Sequence, residues 1–217
     1  MNTAKIIAVT NPMIEGVTTA EQLIAFAARV SNPSNQNNEE TSEKLLRYCI
    51  RNKHFSVFEM VNVVMQIDTT RDIARQILRH RSFSFQEFSQ RYADPTKDLG
   101  FVTREARLQD KKNRQNSVEV DDTSLQEEWE DHQQFLIEQT TSIYDWAIQN
   151  GIAKEQARAV LPEGLTCSRM YMNGTLRSWI HFCELRMGNG TQKEHMEVAK
   201  SAWSELSLYF KFLTEQK

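Results

Sequence analysis

Cysteine is scarce in this chain of 217 residues, and the three present, Cys49, Cys167 and Cys183, are odd in number and stand in unrelated apolar contexts. A disulfide framework is therefore excluded, a reducing compartment is favoured, and the spacing offers no thiolate set for a metal. Long apolar runs are also missing. None approaches the roughly 20 residues that cross a bilayer, and Met1 to Gly16 has neither a basic start nor a small-residue cleavage site, so no membrane association and a cytoplasmic location are expected. Glycine is sparse, at seven residues, and the glycine-dependent motifs are absent: no G-x-G-x-x-G, no P-loop and no G-x-S-x-G elbow. A zincin motif is missing too. The five histidines do not pair at i,i+4, and His181 with Glu184 is the single pair that could share a metal, so none is expected. Net positive charge is lacking as well: at -3 overall the chain has no broad basic surface for duplex DNA, and no nucleic-acid partner is expected.

What is there reads as one packed domain. Hydrophobic residues at 40% and charged residues at 25% are ordinary for a globular core, and the length suits a single unit. Lys5 to Thr10 reads as a strand. Thr19 with Gln22 forms a capping box opening a helix that carries Leu23, Ile24, Ala27, Ala28 and Val30, broken by Asn32 to Asn38. A second helix is predicted over Glu39 to Asn52. Phe58 to Thr69 is β-branched and apolar enough for a buried strand, and Thr70 is placed to cap a helix with Ile73, Ala74, Ile77 and Leu78 inward and Arg75 and Arg79 outward. Phe83 to Arg91 is extended and partly irregular, and Thr103 to Ser124 reads as a charged, solvated insertion with no assigned role. Leu125 to Asn150 is the longest helix, with Leu125, Trp129, Leu136, Ile143 and Ala147 at helical spacing and Gly151 placed to end it. A shorter helix ends at Pro162. Thr166 to Met172 reads as a strand, followed by a helix from Thr175 to Arg186 with Leu176, Trp179, Ile180 and Cys183 inward. Thr191 with Glu194 forms a second capping box, opening a last helix whose Met196, Ala199, Trp203, Leu206, Phe210 and Leu213 make a core or subunit stripe.

Local charge breaks the pattern. Between Arg71 and Arg91 stand five arginines against two acids, a net of +3 in an otherwise acidic chain. The string Gln76-x-x-Arg79-His80-Arg81-x-x-Ser84-x-x-Glu87-x-Ser89-x-Arg91 combines planar cations with hydroxyl donors. Guanidinium groups stay charged and present forked donors to phosphate oxygens, so this stretch is predicted to bind phosphate-bearing small molecules. One arginine at a helix C-terminus would merely complement the dipole, but three cations in consecutive positions exceed that need. A non-enzymatic reading also fits: a single-stranded RNA module gripping phosphates with Arg79, Arg81 and Arg91 and stacking bases on Phe83, Phe85 and Tyr92.

Arg79-His80-Arg81, seven residues and then Ser89 resembles the hallmark motif of the flavin-dependent thymidylate synthases. Ala27-Ala28-Arg29-Val30-Ser31, His54-Phe55-Ser56-Val57-Phe58-Glu59, Ala157-Arg158-Ala159-Val160-Leu161-Pro162 and Leu176 to Arg186 resemble further blocks of that family, in family order, with Thr103 to Ser124 uncovered. Three positions depart: Gln86 stands for the family's Asn, Val57 for its Pro and Met60 for a His.

The resemblance implies an α/β domain of α+β type over 1–217, with a mixed β-sheet flanked by helices and a charged insertion at about 103–124. It implies a homotetramer with the active site shared between subunits. The implied reaction is reductive methylation of dUMP to dTMP, with 5,10-methylenetetrahydrofolate as carbon donor and FAD reduced by NADPH as hydride source. Carried over by position, Ser56, Arg79, His80, Arg81, Glu87, Thr175, Arg177 and His181 are implied for flavin. Gln76, Arg79, Glu87, Ser89, Arg91, Arg158 and Arg186 are implied for the nucleotide, with Arg186 also catalytic and His54 near the reacting rings. No cysteine nucleophile is required, and Cys183 reads as packing.

Overall fold

The computed structural model describes residues 1–188 and 190–214. Two strand-to-helix junctions organise it. In strand β2 (Asn62–Thr70), Val63, Met65 and Ile67 alternate inward and are fully buried, and the chain passes at Thr70 straight into helix α3 (Arg71–Ile77). In strand β6 (Cys167–Thr175), Met170 and Met172 do the same before Thr175 caps helix α7 (Leu176–Arg186), its side chain accepting from the Ser178 amide at 3.2 Å. Strands β1 (Thr3–Val9) and β3 (Ser84–Glu87) complete a sheet of order β1-β2-β6-β3. All three pairings are antiparallel. The expected mixture of parallel and antiparallel pairings is thus corrected: β2 and β3, joined through α3, run in the same sense, but β6 is inserted between them and opposes both, so every neighbouring pair is antiparallel.

Helices pack on one face of this sheet. The core joins α1 (Ala20–Ala28), α2 (Ser42–Arg51), α3, α7 and α8 (Lys193–Tyr209) around Phe58, Trp179 and Phe182. The opposite face is polar where β2 meets β6, with Asp68 accepting from Arg169 at 2.6 Å and Tyr171 exposed. The capping box at Thr19 and Gln22 is present. The box expected at Thr191 and Glu194 is not: the cap position falls on Gln192 without a side-chain bond, because the Glu194 carboxylate is held by Arg107 and Gln192 instead. Arg29 is buried and donates to the Asn38 carbonyl at 2.6 Å and the Thr41 hydroxyl at 2.9 Å, tying down the loop beyond α1.

The long helix α5 (Thr123–Gln149) ends as expected. Gly151 takes φ +77, and Ile152 and Gly151 donate to the Ala147 and Ile148 carbonyls, satisfying the last turn. Its inward face, however, is Gln133, Thr140, Tyr144 and Ala147, so only Ala147 of the expected stripe is buried. Leu125, Trp129, Leu136 and Ile143 are exposed. The polar choice has a cause: Gln133 bonds both the amide and the carbonyl of Arg104 at 2.9 Å, and Gln126 does likewise for Ala106, so the two amides serve as a strand partner for this backbone.

The charged segment is correspondingly less free than its composition implied. Its hairpin, β4 (Arg107–Gln109) with β5 (Ser117–Glu119), is exposed, but Arg104 binds Thr70 and Asp72 at 2.7 Å and Arg107 pairs with Glu194. Short helices α4 (Pro95–Asp98) and α6 (Lys154–Ala157) complete the chain, α6 packing with Tyr144 and Leu161 in a second small core.

Candidate functional site

Because β2 and β6 are antiparallel, α3 and α7 start from opposite ends of the sheet, and their C-terminal turns meet. There the Arg186 Nε donates to His80 Nε2 at 2.9 Å. The negative ends of both helix dipoles favour a cation at this point. The His80 ring is wedged edge-on against Phe182, at 5.0 Å between centroids, and lies 6.2 Å from the ring of His195 on α8. Burial, followed by the charges of Arg186 and His181, pushes His80 down to about 4. At neutral pH it is an uncharged acceptor for Arg186. The guanidinium charge is therefore oriented without being neutralised, and no ion pair among the described residues involves Arg186, Arg79 or Arg81.

Gln76, in the last turn of α3, joins this group. Its amide oxygen lies 3.3 Å from His195 Nδ1, and its amide nitrogen donates to Gln192 at 2.8 Å. Arg79 and Arg81 follow on the turn between α3 and β3, both exposed. Phe83 then turns inward, its ring 4.9 Å from that of Trp179. Gly174 makes this fit, since a Cβ there would come within 2.4 Å of the Phe83 ring. Phe83 and Phe85 are thus packed against the core and cannot stack on bases, which removes two of the three aromatics from the RNA-binding reading; Tyr92 alone is open, at 84% exposed.

The remaining expected residues form two further groups. Glu87 accepts from Ser168 Oγ at 2.8 Å and faces the buried Arg71 at 3.5 Å, both through Oε1. Beyond it, Ser89 Oγ accepts from the Arg91 amide at 3.4 Å, Arg91 reaches Glu155 at 3.4 Å, and Arg158 donates to the Glu155 carbonyl at 3.4 Å. Glu155 thus draws Arg91 and Arg158 together. The third group lies where α7 begins. Arg177 pairs with Glu59 in the 3-10 segment Phe55–Met60, beside the Thr175 cap. Ser56 and His181 are exposed, His54 stands edge-on to Tyr48 at 5.8 Å, and His181 is near enough to His80 to affect its titration. Of the departing positions, Gln86 and Met60 are exposed and Val57 packs against the core.

Two clefts in the single chain, of about 570 and 910 Å³, are lined by none of the expected site residues. All three cysteines are buried, with their thiols pushed up by burial, Cys167 to about 11, so none is an activated nucleophile. Among the described residues no group of three metal-ligating side chains exists, and no helix is long and apolar enough to cross a membrane. Sequence reasoning missed His195, Gln192, Glu194 and Arg107. Their contacts with Gln76 and with one another cross up to 119 positions and follow no local period.

Known proteins resemble the chain in sequence and in fold. The family profile described as thymidylate synthase complementing protein (Thy1) matches residues 13–210. The chain is 52% identical over 198 residues, 91% of its own length and 90% of the relative's, to the "probable flavin-dependent thymidylate synthase" of Paramecium bursaria Chlorella virus 1. It is 50% identical over 84% of its length to the flavin-dependent thymidylate synthase of Synechocystis sp., of which it covers 82%. Among solved structures, a UMP/dUMP methylase, PolB from Streptomyces cacaoi bound with 5-Br dUMP, shares the fold, with TM-score 0.80, 24% identity and coverage of 97% of this chain and 92% of that one.

Proposed function

The chain belongs to the flavin-dependent thymidylate synthases, and from that membership we propose how its residues divide the work of reductive methylation of dUMP to dTMP. The single observation that carries the proposal is Arg186, a cation oriented by a neutral histidine and balanced by no carboxylate among the described residues. Carbon 5 of uracil becomes nucleophilic only as negative charge builds along the N3 and O4 edge, and a fixed guanidinium there stabilises that charge. His80 occupies the Nε and leaves the two terminal nitrogens as a fork for the base. Arg91 and Arg158, gathered by Glu155, suit the nucleotide phosphate, with Ser89 beside them. Gln76 supplies an amide to the nucleotide, and the Oε2 of Glu87 has no protein partner among the described residues.

The residues also fit a flavin. Its pyrophosphate needs cations, and Arg79 and Arg81 are exposed and unpaired among the described residues; we assign Ser56, Thr175, Arg177 and His181 to the same ligand. FAD reduced by NADPH supplies the hydride, and methylenetetrahydrofolate supplies the carbon. We assign Arg79 to both ligands, since it adjoins His80 in the chain and stands two residues from Arg81.

The assembly we propose is a homotetramer in which another subunit completes the site. Its support is the apolar surface of α5, where Trp129, Phe135, Leu136, Ile143 and Trp146 are open to solvent, Trp146 by 59%; a patch of this kind marks an association surface. Trp146→Glu should lower the mass measured by light scattering, and an unchanged mass would count against this face. The reaction itself is tested by supplying the purified protein with dUMP, methylenetetrahydrofolate, FAD and NADPH. Formation of dTMP is expected, and NADPH oxidation without dTMP would refute it.

A further inference from the structure

A set of buried polar groups runs from the charged hairpin through Gln76 to His195. Arg107 pairs with Glu194, and both are largely buried, at 12% and 10% exposed. The other carboxylate oxygen of Glu194 accepts from Gln192 Nε2 at 2.9 Å. Gln192 Oε1 accepts from Gln76 Nε2 at 2.8 Å, and Gln76 Oε1 lies 3.3 Å from His195 Nδ1.

The chain has a direction that its chemistry enforces. A carboxylate only accepts, so Gln192 must turn its amino group to Glu194 and its oxygen to Gln76. Gln76 must then turn its own amino group to Gln192 and its oxygen to His195, which completes the chain only by donating from Nδ1. His195 is fully buried, and burial, then the charges of Arg186 and His80, pushes it down to about 3, so it stays neutral; its Nε2 has no partner among the described residues. An amide otherwise has two orientations of nearly equal shape and opposite hydrogen-bonding sense. Here only one makes every bond of the relay.

We propose that Arg107 and Glu194 are positioning residues for the nucleotide, fixing through Gln192 which end of the Gln76 amide faces the base. The charged hairpin thereby acquires a function: it carries Arg107 to the start of α8, where Lys193 also reaches Glu105 at 2.5 Å. The inference rests on the reading of Gln76 as a nucleotide contact, and it concerns discrimination of the pyrimidine edge, where a reversed amide would present a donor to a donor.

The test is the dissociation constant of dUMP for the FAD-loaded protein, by calorimetry, with kcat and KM alongside. Arg107→Ala should weaken dUMP about tenfold, the equivalent of one hydrogen bond, with kcat at saturating dUMP little changed. Arg107→Lys should recover part of the loss. Gln76→Ala should weaken dUMP by a similar factor, and Arg107→Ala with Gln76→Ala should be no worse than Gln76→Ala alone, because both remove one pathway. A purely structural hairpin would instead give losses that multiply. Should Arg107→Ala fail to fold, the isosteric Glu194→Gln, which frees both amides to reverse, carries the same expectation. Unchanged dUMP affinity in either folded variant, or multiplying losses in the double variant, overturns the relay. The two failures are separable, since absent dTMP with the native chain refutes the reaction while calorimetry still reads the relay.

Discussion

The inner and outer halves of the site are built on opposite terms. Inside, Gln76, His80, Arg186 and His195 find their partners within the chain, and each polar side chain is aimed by another. Outside, Arg79 and Arg81 stand in solvent with no counter-ion among the described residues, and Arg91 keeps only a long, exposed contact to Glu155. A buried polar group without a partner is costly, whereas an exposed arginine loses little by waiting. The inner half is therefore preorganised by folding, and on the proposed reading the outer half is completed by ligands or a neighbouring subunit.

The largest effect should come from cutting the inner half at its charged member. Arg186→Ala is expected to lower kcat by about 10²–10³-fold, the range for removing a preorganised donor from developing negative charge, while absorption shows flavin retained. A drop confined to KM would move Arg186 from catalysis to binding alone. Next comes the packing behind His80. Gly174→Ala drives a methyl into the Phe83 ring, which abuts His80 at 6.4 Å, and should cost about 1–3 kcal/mol of stability. Denaturant unfolding measures this, and a neutral result would mean that Phe83 has room to move.

The smallest effect is a pH slope, to which only the inner half contributes. His80 and His195 are held neutral when folded, at about 4 and about 3, against an ordinary value near 6.5. Between those values the unfolded chain binds protons that the folded chain refuses, so stability rises with pH and is lost as pH falls below about 6.5. His195→Gln should flatten that acid limb in thermal unfolding scans. The exposed arginines keep their charge throughout the window and add nothing to the slope, so Arg81→Ala should leave it unaltered.

The same contrast explains what could be read from sequence. The arginine cluster is visible in sequence because cations gathered in an acidic chain stand out, and the main helices and strands show in local period, with the expected side-chain caps formed at Thr19 and Thr175 but not at Thr70. The relay behind Gln76 was hidden, since Arg107, Gln192 and His195 meet it only through the fold. Glu194 was misread for the same reason: a glutamate three residues after a threonine signals a capping box, but a buried arginine is a stronger partner than a backbone amide. On α5 the period was found and the face misjudged, because apolar spacing shows that a stripe exists and not what covers it, and Gln126 and Gln133 took the inward side by bonding the backbone of the charged segment.

The proposed division of Arg186 and Arg81 between the two ligands is tested most directly by measuring both ligands in both variants. FAD occupancy by absorption and dUMP affinity by calorimetry should cross: Arg186→Ala keeps FAD and loses dUMP, whereas Arg81→Ala keeps dUMP and loses FAD. Equal loss of both ligands in both variants would contradict the division.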